Sequence, residues 1–275
     1  MIILDGKPHD VPGVVTISWL DDSKRVPRIT RVSRRTRATR SIVVHTTGGR
    51  RGKLLAGSKA SDKAFAYARY QVMPTARLAS WDYTVNTDGR VLAQNDPVGA
   101  FSWHAMQVNS VSIGIEMVQE NNGDLYDATI DAAAKLITFL CEQLGLQKQT
   151  AWEPAGDRPY AGHIERLDPG RDGMDVIGVY GHRNVWIRTK GKLGAARGAG
   201  DPGDFVFERL VTEHRFERFV MHGQDPQDVR MWKARQMLVG GLEADGIPGA
   251  KTTARLKELG YKLGQWVDAP PAAVP

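Results

Sequence analysis

Residues 109–118 read Asn109-Ser110-Val111-Ser112-Ile113-Gly114-Ile115-Glu116-Met117-Val118. From Val111 to Val118 the run is rich in β-branched residues and alternates in part, and Asn121-Asn122-Gly123-Asp124 supplies a turn behind it. This predicts a buried strand with a glutamate near its end. Ser41-Ile42-Val43-Val44 is a second short apolar run, closed by His45 and the Gly48-Gly49 pair, and it too reads as a buried strand. Val176 to Tyr180 is a third, followed by Gly181-His182-Arg183-Asn184. Each of the three apolar runs therefore delivers a polar, chemically capable side chain at or near its end.

Outward from these strands the chain alternates elements. Phe65, Ala68 and Val72 lie at helical spacing between Ser61 and Val72, and Met73-Pro74 supplies a stop. Trp81–Val85 and Val91–Ala93 flank Asn86-Thr87-Asp88-Gly89-Arg90, which predicts a hairpin turned at Asp-Gly. Between Asp127 and Leu144 the apolar positions Ile130, Ala133, Ala134, Ile137, Leu140, Cys141 and Leu144 recur every three or four residues, and Gly145 stands where a C-terminal cap belongs. Gln147 to Asp175, dense in Pro, Gly, Asp and Arg, reads as a long loop beside the functional face. Strands and helices mixed in this order predict an α/β domain, a mixed central β-sheet flanked by helices.

The pattern changes after Met221-His222-Gly223. Asp225-Pro226 resembles a helix start, Val229, Trp232, Lys233, Gln236 and Leu238 suggest a short helix, and Thr252 to Leu259 a second one closed by Gly260. The resulting division is a basic extension over 1–40, a main domain over 41–222, a small C-terminal helical module over 223–268 and a tail without regular structure over 269–275.

At 275 residues, with 41% apolar and 25% charged residues, the chain can bury a full core. No run approaches the roughly 20 apolar residues of a membrane helix, so no membrane span is expected. The N-terminus lacks the basic-then-apolar order of a signal peptide, so synthesis in the cytoplasm is expected. The single cysteine, Cys141, excludes an internal disulfide and falls on an apolar helix stripe, which assigns it to packing. The net charge of +6 is concentrated: twelve Lys or Arg and no acidic residue lie between Ser23 and Ser61. That segment is either a solvated surface or a cationic face for a polyanion, such as lipopolysaccharide, an anionic wall polymer or nucleic acid, the last the weakest reading.

Amide hydrolysis near neutral pH needs a strong nucleophile and a group that stabilises the developing oxyanion, and a zinc ion with three protein ligands and one water provides both. His45 and His182 at two strand ends, with Asp201 in Gly200-Asp201-Pro202-Gly203, are suitable donors. No HExxH or CxxC pair is present, so local spacing does not fix the ligand set.

The ordered fragments Val43-Val44-His45-Thr46-Thr47, Asn86 to Arg90, Ser102-Trp103-His104-Ala105, NSVSIGIE over Asn109 to Glu116, Gly181-His182-Arg183 and Asp201-Pro202-Gly203 resemble the type-2 N-acetylmuramoyl-L-alanine amidase family. That family includes phage endolysins, cytoplasmic peptidoglycan-recycling amidases and animal peptidoglycan recognition proteins. The resemblance spans about Ser41 to Leu210, and SIGIE after WHA is its most specific piece. It implies zinc held by His45, His182 and Asp201, with Asp204 the second choice for the third ligand, and Glu116 as general base. It also puts Trp81, Trp103, His104 and Asn109 near the substrate. The lysine common two residues before the third ligand is Ala199 here, which leaves oxyanion stabilisation to Arg197, another group or the metal alone.

Trp232 to Gly260, with Asp245-Gly246-Ile247-Pro248-Gly249-Ala250-Lys251-Thr252, is similar to helical peptidoglycan-binding modules. These resemblances imply a lytic, endolysin-type amidase that acts on peptidoglycan in the cell wall, reached through a phage or other export route. The alternatives are a non-catalytic wall-binding protein and a cytoplasmic muropeptide-recycling amidase.

Overall fold

The computed structural model describes residues 1–50, 52–74, 79–150, 177–182, 187–189, 192–194, 202–220, 236, 241–242, 247, 249–258 and 262–263. Four short strands open the chain: β1 (Ile2–Leu4), β2 (Lys7–His9), β3 (Thr16–Ser18) and β4 (Val32–Arg34). β5 (Ser41–Thr46), β6 (Leu54–Leu55) and α1 (Lys63–Tyr70) follow, then the hairpin β7 (Tyr83–Val85) and β8 (Val91–Ala93). β9 (Ala100–Ser102) leads through a 3₁₀ turn, Met106–Val111, into β10 (Ser112–Met117), β11 (Leu125–Tyr126) and the long helix α2 (Asp127–Leu144). The remainder comprises β12 (Gln149–Thr150), β13 (Gly178–Gly181), β14 (Ile187–Thr189), β15 (Lys192–Gly194), α3 (Phe205–Thr212), β16 (Glu217–Val220), α4 (Ala250–Glu258) and β17 (Lys262–Leu263).

Nine strands form the central sheet in the order β17-β16-β12-β13-β5-β10-β7-β8-β3. Every neighbouring pair is parallel except the β7–β8 hairpin, whose turn carries Gly89 at φ 82. A mixed sheet with helices on it was the expectation from sequence, and the strands centred on 41–44, 111–118 and 176–180 are three adjacent strands at its middle. They are buried on both faces, which is why they read as continuous apolar runs.

Alternation assigns the two faces. Ile42 and Val44 of β5, Ile113, Ile115 and Met117 of β10, and Val179 of β13 belong to one apolar cluster with α2 and α3. Leu92 and Val118 point the other way and pack with Ala64, Phe65 and Ala68 of α1. The sheet is therefore sandwiched between α2 with α3 on one side and α1 on the other. α2 begins at Asp127, whose carboxylate accepts from Arg209 of α3 at 2.6 Å, and ends at Gly145 in the left-handed conformation (φ 63), as its sequence predicts. Cys141 is buried in this layer, and burial pushes its thiol up to about 12, which suits packing and not nucleophilic chemistry.

The first 40 residues are more than a basic extension. Ile2, Leu4 and Val11 join the main apolar cluster, and β3 forms an edge of the central sheet beside β8. Several cations of this segment are held by the fold. Arg35 donates to the carbonyls of Pro97, Ser110 and Ser112 at 2.7–2.8 Å, and burial lowers its pKa against the opposing pull of Asp82. Arg25 lies 3.9 Å from the centroid of the Phe65 ring and pairs with Asp22 and Asp62, and Arg28 lies 5.2 Å from Trp19. β1 and β3 precede the cationic stretch and are only three residues each, too short for an alternating pattern to show along the chain.

Within the stretch expected as a C-terminal module, α4 covers the helix expected from Thr252, and β17 pairs in parallel with β16 of the central sheet. Buried Gln236 donates to Ile247 O at 3.0 Å and Thr252 Oγ1 at 3.2 Å. The rest of the first expected helix, the loop beyond residue 150 and the tail from Ala269 lie outside the described residues.

Candidate functional site

In parallel strands, residues paired in register project to the same face. Glu116 of β10 is paired with His45 of β5, and Gly181 of β13 with Val44, so that His182, the next residue, reaches the level of His45. Thr84 of β7 continues the row beyond Glu116. The order His182, His45, Glu116, Thr84 thus runs across four neighbouring strands, on the face opposite α2. It lies toward the carboxyl ends of the parallel strands, where open α/β sheets bind ligands.

The two imidazoles meet. Their ring centroids are 4.6 Å apart at 61°, with His45 only 5% and His182 only 7% exposed. Glu116, 7% exposed, is buried at the adjoining position. Two converging histidines with a neighbouring carboxylate are donor chemistry suited to zinc or a similar transition metal. Among the described residues no third His, Cys, Asp or Glu completes a set of three with them, Asp204 included. Asp201, expected as the third ligand, lies outside the described residues, as do Arg197 and His163.

His104, expected near the substrate, lies against His45. Its ring is buried, with Nδ1 3.0 Å from His45 Nε2 and Nε2 3.1 Å from Ser112 Oγ, so both nitrogens are engaged inside the protein. Burial holds its pKa well below the ordinary histidine value, and the His45, His182 and Arg35 side chains push the same way. The ring lies over Gly114, where a Cβ would fall 2.7 Å from His104 Cγ. Asn109 likewise turns inward: its Oδ1 accepts from the backbone N–H groups of His104 and Ala105 at 3.0 and 2.6 Å, which fixes the turn that carries His104. The two tryptophans stay nearer solvent. Trp81 is half-buried and donates from Nε1 to Thr84 Oγ1 at 2.7 Å, while Trp103 is 38% exposed and donates to Ser33 Oγ at 3.2 Å.

Reading the sequence missed Asp82, which lies behind the row. This buried carboxylate accepts from Asn95 Nδ2 at 2.6 Å, Ser102 Oγ at 2.8 Å and Gly114 N at 2.8 Å, tying β7, β9 and β10 together. Burial raises its pKa, opposed by those hydrogen bonds and by Arg35. It missed Ser112 and Gly114 as well, although a glycine inside an otherwise apolar strand is a signal of close approach.

The sequence profile described as N-acetylmuramoyl-L-alanine amidase matches residues 35–194, more than half of the chain. A search of curated proteins finds no match. Among solved structures, a mutant endolysin from Bacillus subtilis is 26% identical, covering 49% of this chain and 80% of its own, with a TM-score of 0.36. The peptidoglycan recognition protein SA of Drosophila is 15% identical, covering 77% of this chain and 99% of its own, with a TM-score of 0.42. The amidase LysC from Clostridium intestinale is 12% identical, covering 75% and 99%, with a TM-score of 0.40. The profile match spans β5, the hairpin, β10, α2 and β13, the elements that build the histidine row, and by that match the chain belongs to the N-acetylmuramoyl-L-alanine amidase family.

Proposed function

We propose that this chain is a zinc-dependent amidase that hydrolyses the bond between N-acetylmuramic acid and L-alanine in peptidoglycan. The observation that carries this reading is the buried row His182, His45, Glu116, three chemically matched side chains on three adjacent strands. His45 and His182 would hold the metal with Asp201, and the bound ion would supply Lewis acidity toward the scissile carbonyl and lower the pKa of a water. Glu116 accepts a proton from the attacking water on its carboxylate and returns it to the leaving L-alanine nitrogen. Burial of that carboxylate excludes competing solvent. Trp81, half-buried, and Trp103, 38% exposed, would offer aromatic surface to the sugar or stem peptide. Arg197 is the candidate for oxyanion stabilisation where the family more often has lysine.

The role proposed is lytic, with the C-terminal module providing a second contact to the wall, so that the catalytic site is retained on an insoluble polymer. The cationic segment from Lys24 to Arg40 would add attraction to anionic wall polymers or lipopolysaccharide. The test is incubation of the purified chain with peptidoglycan. Free stem-peptide amino termini should appear, vanish with a chelator and return with zinc. Release of reducing sugar ends in their place would overturn the bond assignment.

A further inference from the structure

The hydrogen bonds around His104 form a chain whose direction is set by its last member. Val108 O is a carbonyl and can only accept. Ser112 Oγ lies 2.7 Å from it, so the single hydroxyl proton of Ser112 is committed to Val108. Ser112 Oγ, 3.1 Å from His104 Nε2, is then left as acceptor, and His104 carries its proton on Nε2. The other nitrogen of the neutral ring, Nδ1, has a lone pair and accepts at 3.0 Å from His45 Nε2. The chain runs His45 Nε2–H to His104 Nδ1, His104 Nε2–H to Ser112 Oγ, and Ser112 Oγ–H to Val108 O.

We propose that His104 is a positioning residue for His45: with Ser112 behind it, it fixes His45 as the Nε2–H tautomer, so that Nδ1 carries the lone pair with which His45 binds a transition metal. The arrangement is built and not incidental. Gly114 removes the Cβ that would meet the ring at 2.7 Å, Asn109 Oδ1 pins the backbone N–H of His104, and the three residues His104, Ser112 and Gly114 are buried or enclosed around one point. A metal-binding imidazole whose second nitrogen is held by an outer partner binds more tightly, because orientation and tautomer are settled before the ion arrives. The metal part of this inference rests on the proposed function; the tautomer part does not.

The test uses the full chain. Long-range proton–nitrogen correlation spectra of the metal-free protein should report His45 and His104 both protonated at Nε2 and both with a lone pair at Nδ1. His104→Leu should abolish the preference at His45 and weaken zinc binding, measured by competition with a chromophoric chelator, by about 10–100-fold. His104→Asn, whose Oδ1 can stand where Nδ1 stood, should restore most of that affinity, which a merely space-filling role does not predict. His45 found as the Nδ1–H tautomer in the wild type overturns the proposal, as does unchanged zinc affinity in a His104→Leu protein of wild-type Tm. Should His104→Leu fail to fold, Ser112→Ala tests the same chain, with a shift in the His104 tautomer as the expected result and no shift overturning it. A wild type with the expected tautomers that binds no zinc would refute the metal reading of the site and leave the hydrogen-bond chain standing.

Discussion

β5 and β10 carry two opposite kinds of surface on one pair of strands. Toward α2 they present Ile42, Val44, Ile113, Ile115 and Met117, all fully buried and all apolar. Toward the other side they present Ser41, Val43, His45, Ser112, Gly114 and Glu116, mostly polar and buried to nearly the same degree. The first face lowers the free energy of folding at about 25 cal/mol per Å² of apolar surface removed from water. The second face carries groups that need hydrogen-bonding partners to offset desolvation; His45, Ser112 and Gly114 find them in His104, Val108 and the Asp82 network, while Ser41 Oγ is buried with no partner among the described residues. The lesson is a separation across a thickness of one strand: the α2 side is apolar packing, and the other side holds the proposed catalytic and metal-binding groups.

That separation can be broken by experiment. The largest effect should come from Glu116→Gln, which removes the proposed base with little change in volume. We expect the amidase rate to fall about 10²–10⁴-fold with Tm nearly unchanged, read by release of stem-peptide amino termini. An active Glu116→Gln enzyme would remove Glu116 from the chemistry. Ile115→Ala, one residue away and facing α2, should do the reverse. A loss of about 2–5 kcal/mol in unfolding free energy is expected in urea titrations, with the rate per folded molecule retained. If the rate collapses as well, the two faces are not independent.

Gly114→Ala probes the boundary between the tasks. Its Cβ would meet His104 Cγ at 2.7 Å and Cδ2 at 2.9 Å, so the ring must move. A destabilisation of about 1–3 kcal/mol should accompany a weakened zinc affinity, and the two measurements together separate this variant from Ile115→Ala.

The smallest effect belongs to a three-residue ion cluster just past the end of β10. Glu120 is bridged by Lys63 at 2.5 Å and Lys59 at 2.9 Å, and the hydrogen bonds from those lysines, Lys63 first, hold its carboxyl below the usual range. A depressed folded pKa contributes stability that is present above the unfolded value of about 4.3 and is lost as pH falls through the folded one. Lys63→Met should therefore cost about 0.2–1 kcal/mol at pH 7 and progressively less below pH 4, when Tm is compared with wild type across the acid range.

Much of this was legible along the chain because the signals are local. The α2 stripe with Gly145 behind it, the Asp88-Gly89 turn and the three β-branched runs depend on residues within a few positions of each other, and they appear where the sequence puts them. The ends of those runs also pointed to His45, Glu116 and His182. β1, β2 and β3 were not legible because each is only three residues long, and β4 lies among cations of which Arg35 points inward to three carbonyls. His104 and Asn109 were expected near the substrate, and sequence position near a groove does not tell which way a side chain turns; both make their hydrogen bonds inside the protein.

The sequence alone determined the main element types, the family pattern and the identity of the candidate site residues, since each follows from periodicity, turn chemistry or motif order. Only the tertiary structure decided their register. Residues 45, 116 and 182 are separated by 71 and 66 positions, and their alignment in one row depends on parallel pairing among strands that are not consecutive in the chain. A one-residue slip in either pairing would send a side chain to the opposite face. What fixes the register is the apolar face under α2, so the packing that stabilises the fold is also what brings the two histidines and the glutamate together.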